Sequence, residues 1–168
     1  IDDDGNDNYV SDNYFLKNNA PNGGAVYWNA ESGSLTDSYF IGNNATEEGG
    51  AVYWQGKSGT LTDSNFTSNN ATENGGAVYW NGESGTLSGS DFKYNKATEN
   101  GGAVYWNGSP GTLSSSNFTD NKATENGGAI YINFKGDYVE CKIDGSNFTS
   151  NSAKQGGAVY LLSNNPIS

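Results

Sequence analysis

The chain has 168 residues, with eight lysines, no arginine or histidine and 19 acidic side chains, for a net charge of -11. That balance repels phosphate backbones and anionic bilayers, so nucleic acid and membrane surfaces are excluded as partners, and no apolar run is long enough for membrane insertion. The hydrophobic fraction of 33% and the 24 glycines suit only a thin core, and a single cysteine, Cys141, excludes an internal disulfide or a thiolate metal cluster.

Residues 1–9 form an acidic leading segment in which Asp2, Asp3, Asp4 and Asp7 surround Gly5. Two readings stand: a solvated terminus, or an oxygen-rich loop whose carboxylates converge on Ca2+, with the glycine permitting the turn. Ca2+ is the one cofactor candidate, and otherwise none is expected. The chain begins at Ile1 rather than Met, which suggests a processed or excised segment.

From Val10 a repeat governs the chain. Gly-Gly-Ala-Val-Tyr-Trp stands at 23–28, 49–54, 75–80 and 101–106, with looser copies at 127–132 and 156–161, and the first five are spaced by 26 residues. A fixed period of this size marks a solenoid. Each repeat shows three short apolar patches, β-branched or aromatic, bounded by Gly, Asn, Asp and Ser, which is strand-and-turn chemistry. The expected fold class is all-β: a right-handed single-stranded parallel β-helix of about six coils of 26 residues, occupying residues 10–162, followed by a tail at 163–168.

Aligned copies form columns. Val10, Leu35, Leu61, Leu87, Leu113 and Ile143 each precede by five residues Phe15, Phe40, Phe66, Phe92, Phe118 and Phe148. Three residues after each Phe stands Asn18, Asn43, Asn69, Asn95, Asn121 or Asn151, and five after it an Ala. Coils stacked at about 4.8 Å place equal columns above one another, so Leu and Phe ladders build the core. An Asn ladder passes its amide hydrogen bond from rung to rung, and Asn tolerates left-handed corners. The Gly-Gly pairs allow positive φ and close approach of neighbouring coils.

Alternation along the Gly-Gly-Ala-Val-Tyr-Trp strand places either Val and Trp or Ala and Tyr inside. The Trp column becomes Ile132 and Leu161 in the last copies, an exchange natural to a buried slot, so Val and Trp are read as inward. Tyr27, Tyr53, Tyr79, Tyr105, Tyr131 and Tyr160 then form a surface ladder, either a structural stack or a flat apolar face for sugar rings. The regularity fails at 133–142, where an insertion holds Cys141 and two extra aromatics; it is a lengthened strand pair or a contact site on the working face.

Six Asn-x-Ser/Thr sequons, at Asn44, Asn65, Asn70, Asn107, Asn117 and Asn147, are candidate glycosylation sites, with Asn44, Asn70 and Asn107 favoured for lying nearer turns. Glu47, Glu73, Glu99 and Glu125 form a row beside the Gly-Gly turn, either solvated or bridged by Ca2+. These acids obey the repeat, whereas a catalytic site breaks symmetry, so no catalytic residue is named and no enzymatic activity is expected.

Repeated Phe-x-x-Asn-x-Ala followed by Gly-Gly-Ala-Val/Ile-Tyr resembles the β-helix repeats of large surface proteins. The Gly-Gly-Ala-Ile and Phe-x-x-Asn motifs are similar to those of chlamydial polymorphic outer-membrane proteins. The Asn/Thr-rich form with Gly-Gly-Ala-Val-Tyr-Trp-Asn-Gly looks more like the adhesin-like proteins of methanogenic archaea. The resemblance covers about residues 10–162 and implies an extracellular, cell-anchored stalk or fibre that adheres to glycans or host surfaces. With exposed strand edges at both ends of six coils, the expected partner is a second copy joined head to tail. The rival reading is a carbohydrate-binding or polysaccharide-degrading β-helix protein.

Overall fold

The computed structural model describes residues 8–108, 111–134 and 141–163. It is a parallel β-solenoid of about six turns, about 26 residues each, without a helix among the described residues. The first five coils each contribute one strand to each of four parallel sheets, and the last contributes to three, with Ser152 making only an isolated bridge to Lys122 in place of a fourth. The third coil is typical: Thr60–Thr62, Asn65–Thr67, Asn70–Ala71 and Val78–Trp80. The fourth sheet corrects the expectation of three patches, because the strand around the Ala column is only two residues long. Pairing keeps register throughout: Leu61 lies between Leu35 and Leu87, Phe66 between Phe40 and Phe92, and Tyr79 between Tyr53 and Tyr105.

The core is what the columns predict. Leu35, Leu61, Leu87, Phe40, Phe66, Phe92, Phe118, Val78 and Trp80 are fully buried, while Val10 closes one end and Phe15, Ile143, Phe148 and Val159 are partly buried at the outer coils. Phe rings stack at 4.6–5.0 Å, and Trp28, Trp54, Trp80 and Trp106 at 4.5–5.0 Å. The turns after Trp28, Trp54 and Trp80 fold back over the indole, so a Cβ on Gly33, Gly59 or Gly85 would collide with it. Where Trp gives way to Ile132, the glycine five residues on becomes Asp137 and the insertion replaces the tight turn. That coil lengthens its strand to Ile130–Phe134, paired with Val159–Ser163. Residues 135–140 of the insertion lie outside the described residues, as do Asp2, Asp3, Asp4 and Asp7. Cys141 is half-buried against the core, and burial pushes its thiol pKa up.

Left-handed corners are not made by the Asn ladder. The positive φ falls one residue earlier, at Lys17, Gly42, Ser68, Tyr94, Asp120 and Ser150, and again at Asp12, Asp37, Asp63, Gly89, Ser115 and Gly145. The second set explains why that column wanders among Asp, Gly and Ser: its constraint is backbone conformation, not side-chain chemistry. The Asn side chain has a different task. Asn69 Oδ1 accepts from Asn43 N–H and Nδ2 at 2.9 and 3.0 Å, while its own Nδ2 donates to Phe40 O and to Asn95 Oδ1, both at 3.0 Å. A second buried ladder, Ser38, Ser64, Ser90 and Ser116, is legible in the sequence as Ser two residues before each Phe of the column except Phe15, where Asn13 stands. Ser64 Oγ accepts Ser38 N–H at 3.1 Å and donates to Thr62 O at 2.9 Å.

Candidate functional site: the tyrosine face and its flanking amides

Tyr27, Tyr53, Tyr79, Tyr105, Tyr131 and Tyr160 point outward and stack continuously, with ring centroids 4.8–5.2 Å apart and planes within 8° of parallel. They are less exposed than an outward direction implies. Tyr27 is 43% exposed, but Tyr79 and Tyr131 only 7%. Two amide rows cover the phenols from opposite sides. On one side Asn133 donates to Asn107, and Asn107 Nδ2 in turn donates to Asn81 Oδ1 at 2.9 Å and to the Tyr79 hydroxyl at 3.2 Å. On the other, Asn126 donates to Asn100, Asn100 to Asn74, and Asn74 to the Glu48 carboxylate.

This arrangement decides what the ladder can bind. Sugar rings stack on aromatic faces, and here both faces of Tyr53, Tyr79, Tyr105 and Tyr131 are taken by neighbouring tyrosines, while Tyr27 and Tyr160 each stack on one side only. From Tyr53 to Tyr131 the column is a stack without an open ring face. Burial, with neighbouring phenols and Glu48, holds the Tyr53, Tyr79 and Tyr131 phenols neutral beyond their usual range and pushes Tyr105 up to about 12. An acid whose folded pKa is raised ionises first in the unfolded chain, so stability falls as pH rises above 10.

Glu48 interrupts an otherwise amide column, Asn22, Asn74, Asn100, Asn126 and Gln155. Burial raises its pKa above 4.5, hydrogen bonds from Asn74 and Tyr79 oppose the shift, and the Glu73 and Glu47 carboxylates add to it. Ionised Glu48 thus opposes folding above 4.5, and the penalty fades as pH falls. Glu48→Asn is expected to melt above the parent at pH 7, with the gap narrowing toward pH 4, as followed by circular dichroism. A lower melting temperature at neutral pH would contradict this assignment.

The Glu47, Glu73, Glu99 and Glu125 row stacks as the period requires, backbone N–H to carbonyl at 2.8–2.9 Å. Asn22 Nδ2 donates to Glu47 at 2.7 Å and Lys154 pairs with Glu125 at 3.1 Å. Among the described residues no three acidic, cysteine or histidine side chains converge in a way that could hold a metal ion. The sequon asparagines lie on strands, with Asn44 and Asn70 opening two-residue strands just after the corners at Gly42 and Ser68. Asn44, Asn70, Asn107, Asn117 and Asn147 all donate their amides to the preceding coil, whereas Asn65 makes no such bond. The open depression beside the first coil is lined by Asn18, Asn19, Asn22, Gly23, Tyr27 and Asn29, amides and one phenol.

A family model described as the Chlamydia polymorphic membrane protein repeat matches residues 37–53, 63–79, 89–105, 115–133 and 145–161, together more than half of the chain. The chain belongs to this repeat family. Each match runs from a left-handed corner through the Ser, Phe and Asn ladders to the Gly-Gly-Ala strand, so the polymorphic membrane protein signature is the set of residues that locks coil to coil. The intervals between matches hold the turn after the Trp column and most of the insertion, where this chain varies most. No curated protein and no solved structure matches the chain significantly.

Proposed function

We propose that the chain is a non-catalytic, extracellular, adhesin-like structural protein, a stalk or filament subunit in which coils join end to end. The polymorphic membrane protein repeat supports a cell-surface location. One observation carries the assembly reading: the outermost coils present matching columns. The first offers Val10, Phe15, Asn18 and Val26, and the last offers Ile143, Phe148, Asn151 and Val159, in the register that already joins the coils between them.

A last coil laid on a first coil would pair strand edges in parallel and continue the Phe and Asn ladders. The contact is head to tail and does not close, so it grows a filament. About six coils at about 4.8 Å give a subunit length near 29 Å. No cofactor takes part, so EDTA is expected to leave the melting temperature unchanged; a fall would restore Ca2+ to the scheme. Electron microscopy of the purified chain across a concentration series tests assembly. Filaments with an axial repeat near 4.8 Å are expected, and a monodisperse monomer at high concentration overturns the end-to-end reading.

A further inference from the structure

The repeat departs from its own pattern at one outward corner of the fourth and fifth coils. The first residue of the two-residue strand is Asn19, Asn44 and Asn70 in the first three coils, where Asn70 Nδ2 donates to Asn44 Oδ1 at 2.9 Å. In the next two it becomes Lys96 and Lys122, which pair directly across the sheet. Two ammonium groups on adjacent strands, about 4.8 Å apart at the backbone, repel each other where an amide ladder would have bonded. Both are exposed, and neither forms an ion pair among the described residues. In a chain with only eight basic residues, this pairing of two lysines costs stability and has no structural return.

The adjoining corner departs in the same way. Tyr94 occupies the left-handed position with φ 57°, where other coils place Lys17, Gly42, Ser68, Asp120 and Ser150. It is 59% exposed. Its column neighbours Ser68 and Asp120 offer no ring, so among the described residues no aromatic side chain stacks on Tyr94, unlike the tyrosines of the ladder. Lys93 stands beside it with a loose 3.7 Å contact to Asp91. The left-handed backbone is common to this corner in every coil, so what sets Tyr94 apart is an exposed aromatic side chain where the other coils place Lys, Gly, Ser or Asp.

We infer that Lys93, Tyr94, Lys96 and Lys122 form a binding site for a uronate-bearing polysaccharide. The paired ammonium groups take a sugar carboxylate, and the unstacked Tyr94 ring stacks on a pyranose face. The acids nearby are Asp91, Asp120 and Glu99, with Glu125 engaged by Lys154. At 0.15 M salt, screening over about 8 Å confines the interaction to this corner and mutes the remaining negative charge. A uronate presents a carboxylate and a pyranose face within one residue, which matches paired ammonium groups beside one unstacked ring. The site is a property of one subunit and holds whether or not subunits join end to end.

The variants take their replacements from the chain's own columns: K96N/K122N restores the amide ladder, and Y94S copies Ser68. Titration calorimetry with polygalacturonate at 0.15 M salt is expected to show binding by the parent and at least a tenfold loss in each variant. Melting temperatures should hold or rise, so that loss of binding does not reflect unfolding. Unchanged affinity in K96N/K122N overturns the proposal, as does absence of binding by the parent. Binding of polyglutamate or a single-stranded oligonucleotide as tightly as polygalacturonate overturns the assignment to sugar, and equal binding of neutral dextran removes the role of the lysines.

Discussion

Asn69→Ala is expected to destabilise the solenoid by about 4 kcal/mol, whereas Asn18→Ala should cost less than about 1 kcal/mol, although both remove the same side chain from the same column. Four hydrogen bonds pass through the Asn69 amide, and its neighbour Asn43 is fully buried. Removing it leaves the Asn43 N–H without an acceptor and takes a donor from Phe40 O. An orphaned buried donor costs its full desolvation, about 1–3 kcal/mol, beyond the modest net worth of each lost bond. Asn18 stands on the outermost rung: it donates its Nδ2 and its N–H to Asn43 Oδ1, and the N–H survives truncation. Urea unfolding of the two variants measures the difference. Equal losses would mean that the ladder merely decorates a fold held by its Phe and Leu columns.

The ladder could be anticipated because a solenoid converts sequence period into spatial adjacency: once Asn43, Asn69 and Asn95 are 26 residues apart, stacking places them together. The Phe, Leu and Trp columns are legible for the same reason, and burial of Val78 and Trp80 follows from alternation plus the Ile132 exchange. Other features depend on quantities that the period does not carry. The Asn70–Ala71 strand is too short to show alternation, so the fourth sheet is invisible until the chain is folded. Left-handed φ at Ser68 and Tyr94 has no composition mark, since the column accepts Lys, Gly, Ser, Tyr and Asp alike. Tyr79 is buried where side chains from before and after the tyrosine strands meet at its phenol, the Asn107 amide from one side and the Glu48 carboxylate from the other. The departures at Lys96, Lys122 and Glu48 are legible in principle, because an exception is visible only against a column.

Gly50→Ala is expected to destabilise the protein by more than the about 1–3 kcal/mol typical of overpacking against side chains, while Gly42→Ala in the same coil should cost about 1 kcal/mol. A Cβ on Gly42 meets nothing closer than Lys17 Cγ at 3.6 Å, so the cost is that of holding alanine at φ 64°. A Cβ on Gly50 would strike the Gly76 carbonyl oxygen and lie 2.6 Å from Asn70 O and 2.7 Å from Asn70 C. These are backbone atoms of the next coil, held in two sheets, and no rotamer change relieves the overlap. The third coil has to move away from the second, stretching Gly50 N–H to Gly75 O at 3.0 Å and Ala51 N–H to Ala77 O at 2.8 Å. Solenoid stability is a sum of coil and nearest-neighbour terms, so the damage concentrates at one interface. Hydrogen exchange should therefore show the first two coils of Gly50→Ala losing protection while the fourth and fifth keep theirs. Protection lost evenly along the chain would show that the six coils unfold as one unit, and the nearest-neighbour description would then fail for a solenoid this short.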